Sequence, residues 1–250
     1  MMEYLIVCPL VFLAGLVDSI AGGGGLISLP GYLIAGVPAH MALGTNKLSS
    51  TVGTVVSTAR LARQGYLKGK LSMAAAASVA AMAGSAIGAH AALLVSDEVI
   101  RHMMIVVLPV VAFYVLRKKD GDEGKENTLS RPAMTAIAVG AAFFIGCYDG
   151  FYGPGTGTFL LLVLTGAARM DTRSASAQTK VINLSSNVAA LITFIISGNV
   201  NYHLGLAAAL CSVGGHYLGS GLVISSGQRI VRPLILVVLS ILFLKILTGG

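Results

Sequence analysis

Hydrophobic positions along this 250-residue chain gather into ten stretches, at about 3–20, 25–36, 39–64, 70–94, 98–117, 133–150, 156–166, 174–197, 203–223 and 232–248. Short polar or glycine-rich breaks separate them. At 1.5 Å per residue, about 20 helical residues cross a bilayer, so the longer stretches predict membrane helices. Those at 25–36 and 156–166 are too short to cross comfortably, and each predicts a re-entrant or broken element. Alternating segments of about 10 residues, the mark of a transmembrane β-barrel, are absent. The pattern therefore predicts an all-α membrane protein, a polytopic helical bundle.

The stretches repeat. Gly15 and Asp18 match Gly146 and Asp149 at an offset of 131, and Gly22 and Gly24 match Gly153 and Gly155 at the same offset. Thr45–Lys47 then matches Gln178–Lys180 at an offset of 133, and Gly65 and Leu71 match Gly198 and Leu204. A first transmembrane repeat over 1–119, a cytoplasmic linker over 120–130 and a second repeat over 131–250 follow from this, within one membrane domain. The linker belongs to the one long polar stretch, KKDGDEGKENTLSRP, and reads as solvated chain.

Charge adds an orientation. Cytoplasmic loops are enriched in Lys and Arg. Basic residues mark the turn with Arg60, Arg63, Lys68 and Lys70, the linker, the turn with Arg169 and Arg173, and the turn with Arg229 and Arg232. One path places all four turns inside. It gives five segments per half, so the second repeat is inverted relative to the first and both termini lie outside. Inverted repeats with short, Gly/Pro-interrupted segments at matching positions point to a secondary transporter site.

Composition agrees. The chain is 55% hydrophobic and 11% charged, with a mean hydropathy of +0.83. Soluble domains carry about 25% charged residues. A net charge of +7 could suggest nucleic acid in a soluble protein. Here the basic residues lie between apolar segments, where they set topology or hold anionic lipid headgroups, and no nucleic-acid partner is expected. Abundant Ala, Gly and Ser suit close helix packing within the chain and between copies in a homo-oligomer. Cys8, Cys147 and Cys211 are isolated, which suggests neither a disulfide framework nor a metal cluster. The apolar N-terminus loosely resembles a cleavable signal. It lacks a basic n-region and its pattern recurs mid-chain, so it is expected to belong to the mature fold.

Candidate chemistry sits where the pattern breaks. Gly22, Gly23, Gly24 and Gly25, like Gly153, Pro154 and Gly155, precede a short helix opened by Thr156 in the second half. A helix N-terminus offers unpaired N–H groups and partial positive charge to an anion, and glycine lets backbone and ligand approach. The bland alternative is a tight hairpin between packed helices. No Lys-Ser/Thr completes a phosphate loop. Lys47, with Thr45, Asn46 and Ser50, lies roughly 12 Å into its helix, near mid-bilayer depth. An ionisable group there costs at least about 2.5–3.5 kcal/mol and is by default a functional candidate. Lys180, with Gln178, Thr179, Asn183 and Asn187, is its counterpart, placed nearer the cytoplasmic end of its segment. Each lysine could instead snorkel or neutralise Asp18 or Asp149. Those two carboxylates could take a coupling proton, hold the glycine turns through backbone N–H bonds, or pair with a lysine. His216 reads as a packing group before a proton relay. No metal-ligand spacing and no nucleophile–base pair occurs, so no metal, cofactor or enzymatic activity is expected.

In AGGGGLISLP, ALGTNKL, GPGTGTFLLL and AQTKVINLSSN the chain resembles the TauE/SafE sulfite-exporter family over nearly its whole length. The resemblance implies a bacterial inner-membrane protein of seven or eight spans. The implied activity is export or uptake of sulfite, sulfonates or related organosulfur and carboxylate anions. Carried over by position, its motif residues are Gly22, Gly23, Gly24, Gly25, Pro30, Thr45, Asn46 and Lys47, then Gly153, Pro154, Gly155, Gln178, Lys180 and Asn187. The second half departs in having Gly-Pro-Gly-Thr where the first has four glycines. The sequence thus leads to a secondary transporter of a small anion working by alternating access. An anion channel or a non-transporting membrane scaffold remain as rivals.

Overall fold

The structure is a computed structural model that describes residues 1–67, 70–117 and 129–226. These form nine helices and no strand: α1 (Met2–Ala21), α2 (Gly25–Ile34), α3 (Ala39–Arg63), α4 (Leu71–Leu93), α5 (Asp97–Arg117), α6 (Arg131–Phe151), α7 (Thr156–Gly166), α8 (Thr172–Ile196) and α9 (Tyr202–Ser226). Every predicted segment within the described residues is a helix, with ends shifted by a few residues. The segment at 232–248 and most of the 120–130 linker lie outside them, as do Lys68, Arg229 and Arg232.

Helix ends follow local chemistry. The Asp171 carboxylate accepts from Ser174 N at 2.9 Å and starts α8. Ser130 Oγ accepts from Ala133 N at 3.4 Å and, with a proline in the first turn, starts α6. α3 has no local cap. Asp97, at the start of α5, accepts from Ala39 N at 3.0 Å and His40 N at 3.2 Å instead.

Among the described residues, α1, α4, α6 and α8 are each long and apolar enough to cross a membrane. α2 and α7, at 10 and 11 residues, are not. Both are folded back. A Cβ on Gly24 would lie 2.6 Å from Ala14 O, and one on Gly31 would lie 3.2 Å from Leu10 Cβ, so α2 doubles back along α1. In the second half Tyr148 OH, on α6, donates to Pro154 O at 2.6 Å and the Tyr148 ring meets Phe159 of α7 edge-on. The short helices thus fold back against the helices before them.

Packing repeats with the sequence. α4 lies against α6 and α8; α9 lies against α1 and α3; α3 and α8 meet in the middle. Cβ atoms on Gly84 and Gly88 would collide with Phe143 O and Cys147 O, while Cβ atoms on Gly215 and Gly219 would collide with Phe12 O and Leu16 O. Each second contact is the first displaced by 131 residues. Small residues let these backbones touch, as membrane helices require where burial against lipid gives no hydrophobic gain. The outer faces show Val79, Ile87, Phe144, Ile196 and Leu210, all more than half exposed. So much exposed apolar surface suits lipid rather than water.

Candidate functional site

α3 and α8 each run for 25 residues. Lys47 stands eight positions after Ala39 and Lys180 eight positions after Thr172, so the two lysines enter their helices equally deep. The expectation that Lys180 lies nearer its helix end is corrected: Asp171 starts α8 two residues earlier than the apolar pattern indicates.

The lysines exchange partners between halves. Lys47 Nζ lies 2.8 Å from Asp149 Oδ2 and donates to Asn187 Oδ1 at 2.9 Å. Lys180 Nζ donates to Asp18 Oδ2 at 2.9 Å and also to the Asp18 carbonyl. Asp149 Oδ2 further accepts from Ser186 Oγ at 2.7 Å. Asp18 Oδ1 accepts from Gly24 N at 3.3 Å, so this carboxylate also holds the glycine turn. Neither lysine snorkels: both are buried, at 3% and 2% exposure. Charges this deep persist only when paired, because losing one partner leaves the other uncompensated.

The glycine turns bring the N-termini of α2 and α7 together. Gly22 and Gly153 both adopt left-handed backbone, φ +77° and +98°. A Cβ on Gly22 would lie 2.6 Å from Gly157 Cα, so the two turns touch backbone to backbone. A Cβ on Gly153 would point at the Lys47–Asp149 pair, 3.2 Å from Nζ. The turns are not copies. Gly155 is left-handed at φ +86°, whereas its counterpart Gly24 is right-handed at φ −57°.

Beside this contact lies a small cavity with about 30 Å³ open to the centre of a water molecule. Asp18, Gly22 and Gly25 line it from one turn, and Asp149, Gly153, Thr156 and Gly157 from the other. α3 adds Asn46, Lys47, Ser50 and Thr54, and α8 adds Asn183 and Asn187. Asn46 Oδ1 and Thr54 Oγ1 are buried and find no hydrogen-bond partner among the described residues. Buried polar atoms are nearly always satisfied, so two orphans on one cavity wall invite a polar occupant.

Seven of the candidate residues do not line this space. Thr45 Oγ1 accepts from Asn201 N at 3.0 Å and Gln178 Nε2 donates to Lys70 O at 3.1 Å, both joining helices elsewhere. Lys180 shares the helix face of Asn183 and Asn187 but its ammonium is taken by Asp18, Thr179 is buried outside the lining, and Gly155 serves as the α7 cap. Gly23 is also absent from the lining, and Gly24 lines a neighbouring cavity. Two lining residues escaped the sequence reading, Thr54 and Gly157. Thr54 lies two turns beyond Lys47 on the same face and could have been found by extending the helical period. Gly157 follows a motif already rich in glycine and carried no separate signal.

The Sulfite exporter TauE/SafE family matches residues 7–246. The chain is 36% identical over 239 residues to "Probable membrane transporter protein ORF9" of Sinorhizobium sp, covering 94% of this chain and 89% of that protein. It is 33% identical over 239 residues to "Probable membrane transporter protein YfcA" of Escherichia coli K12, covering 94% and 86%. A "Probable membrane transporter protein" of Haemophilus influenzae is 30% identical over 227 residues, covering 90% and 87%. No solved structure matches the chain closely enough to count as a relative. Glycine-opened helix ends meeting at a polar cavity, in a helical membrane fold matched along its length, place this chain in the TauE/SafE family of membrane transporters.

Proposed function

We propose that this transporter carries a small anion of the sulfite or organosulfonate class across the inner membrane by alternating access. The observation that carries the reading is the cavity between the α2 and α7 N-termini, with Lys47 Nζ and two unpartnered polar side chains on its wall. The first N–H groups of a helix have no intrahelical acceptor and a positive dipole end, which favours an anion there. Asn46 meets an anion with its N–H edge by an amide flip, and the Thr54 hydroxyl turns to donate.

The anion competes with Asp149 for Lys47. A proton on a carboxylate of the pairs shifts that competition toward the anion, which gives a route to coupling. In this reading the halves 1–119 and 131–250 are inverted, the linker is cytoplasmic and both termini lie outside. The two turns then present one mouth to each side in turn.

The test uses purified protein in vesicles with labelled sulfite. Lys47→Met strands Asp149, so Lys47→Met/Asp149→Asn is made as a charge-balanced companion. Both variants are expected to lose sulfite uptake, and the double variant is expected to remain folded. Unchanged uptake by a folded double variant contradicts the proposal. Uphill accumulation by the wild type separates a transporter from a channel.

A further inference from the structure

The two ion pairs occupy equivalent places but have unlike surroundings. At Asp149 the second neighbour is the Ser186 hydroxyl. The position matching Ser186 in the first half, 133 residues earlier, is Gly53. Its missing side chain leaves room that His216 fills: a Cβ on Gly53 would lie 2.9 Å from His216 Nε2. His216, from α9, is 2% exposed, and its Nε2 stands 3.8 Å from Asp18 Oδ2.

Hydrogen bonding fixes the ring. Ser57 Oγ donates to Thr54 O at 3.1 Å, so its oxygen is left to accept from His216 Nδ1 at 3.1 Å. Nδ1 therefore carries the hydrogen of the neutral ring and Nε2 carries the lone pair. That lone pair faces a carboxylate oxygen, with no hydrogen between them. Such a gap between two bases is a seat for one proton.

Access and surroundings fit. A second cavity, with about 20 Å³ open to a water centre, reaches both Asp18 and His216 and is lined further by Ser28, Ser50 and Ser212. Asp18, Gly25 and Ser50 line both cavities, so the proton seat adjoins the anion space. The charged groups facing His216 are Asp18 from α1 and Lys180 from α8, the latter on the same carboxylate. α3 presents Ser57, and its Arg60 lies farther along the helix, bonded to the Tyr217 carbonyl and to Ser220 Oγ at 3.2 Å. Cys8 and Cys211 meet each other across the α1–α9 contact.

The geometry points to Asp18 and His216 as the site of the co-transported proton, with anion binding left to Lys47 and Asp149. Asp18, Asp149, Lys47 and Lys180 cancel in charge. One proton added at Nε2 makes an imidazolium that competes with Lys180 and Gly24 N–H for Asp18, loosening the first glycine turn. It also gives the cluster a single positive charge, which matches one monoanion. The inference therefore deepens the proposed anion reading and rests on it: one proton accompanies one monoanion, and the step is electroneutral.

The experiment reconstitutes wild type, His216→Gln and Asp18→Asn in vesicles. It compares sulfite/sulfite exchange with sulfite accumulation driven by a pH gradient at zero membrane potential. The expected result is accumulation by wild type, its loss in both variants, and exchange retained in His216→Gln. Accumulation undiminished in His216→Gln overturns the inference. Exchange without gradient-driven accumulation in wild type also overturns it, and leaves the anion reading standing. No exchange and no accumulation in wild type sinks the sulfite reading instead. Histidine-labelled protein then decides the inference by NMR: the resonance lost in His216→Gln should respond to Asp18→Asn and not to Asp149→Asn. A resonance indifferent to Asp18→Asn overturns the assignment.

Discussion

The Lys47–Asp149 and Lys180–Asp18 pairs differ more in what surrounds them than in their own geometry. Their Nζ–Oδ2 distances are 2.8 and 2.9 Å. Around the first are amide and hydroxyl groups, Asn187 and Ser186, which cannot titrate in the physiological range. Around the second are an imidazole, a main-chain carbonyl and the N–H of a glycine turn. The Asp149 side chain is 3% exposed and that of Asp18 14%. A repeat supplies two copies of one device, and a few differences at its edges, Gly53 at the place of Ser186 and His216 at that of Ser85, 131 residues earlier, give the copies unlike neighbours.

Breaking one pair is the largest perturbation available. Lys47→Met leaves Asp149 buried without its counter-charge, at a cost of about 3–5 kcal/mol. The expected readout is a sharp fall in thermal stability in detergent, recovered in large part by adding Asp149→Asn. A single variant as stable as wild type would contradict a pairing of Lys47 and Asp149 that the fold depends on.

The contact between the glycine turns is next. Gly22→Ala forces a Cβ onto the Gly157 backbone and strains a left-handed residue, for about 1–3 kcal/mol. Gly140→Ala, in α6 with none of the described residues near its Cβ position, should gain up to about 1 kcal/mol by helix propensity. Thermal unfolding of the two variants side by side separates a glycine needed for contact from one that is merely present. Equal effects would contradict the backbone contact between halves.

A smaller difference concerns the starts of α3 and α8. α8 is capped by its own Asp171, whereas Pro38 stands at the matching place before α3 and the carboxylate comes from Asp97. Burial pushes the Asp171 carboxyl up, but the Ser174 N–H and Lys70 outweigh it and hold the carboxyl below its usual range. A lowered folded-state value contributes stability that is present above the ordinary carboxylate range and lost as the pH falls through the folded value. Asp171→Ala should therefore cost about 0.5–2 kcal/mol at neutral pH and less in acid. Its exposed pair with Lys70 adds little. Unfolding curves at neutral and acid pH check the sign: a penalty that grows in acid would contradict it.

Much of this was legible in the chain. The ten apolar stretches map onto helices wherever the structure describes them, because lipid leaves the backbone few other choices. The short lengths of 25–36 and 156–166 marked the two short helices that fold back on their neighbours. Lys47, Asp18 and the glycine turns were legible as well, since charge and Gly-Gly runs are costly in an apolar helix unless they serve something. The pairing was not. That Lys47 meets Asp149 rather than Asp18 depends on how α3 crosses α8, which side-chain type does not encode. The depth of Lys180 was hidden because Thr172 and Arg173 are polar, so hydropathy starts α8 too late. His216 looked like packing on its own. Only the vacancy at Gly53, 163 positions away, gives it a partner.

The most direct test of the central claim is a structure of the protein in lipid nanodiscs or crystals with selenite, the heavier analogue of sulfite. The account predicts one anion peak between the Gly22 and Gly153 turns, within hydrogen-bond distance of Lys47 Nζ. A peak elsewhere, or a cavity that holds only water at saturating selenite, would contradict it.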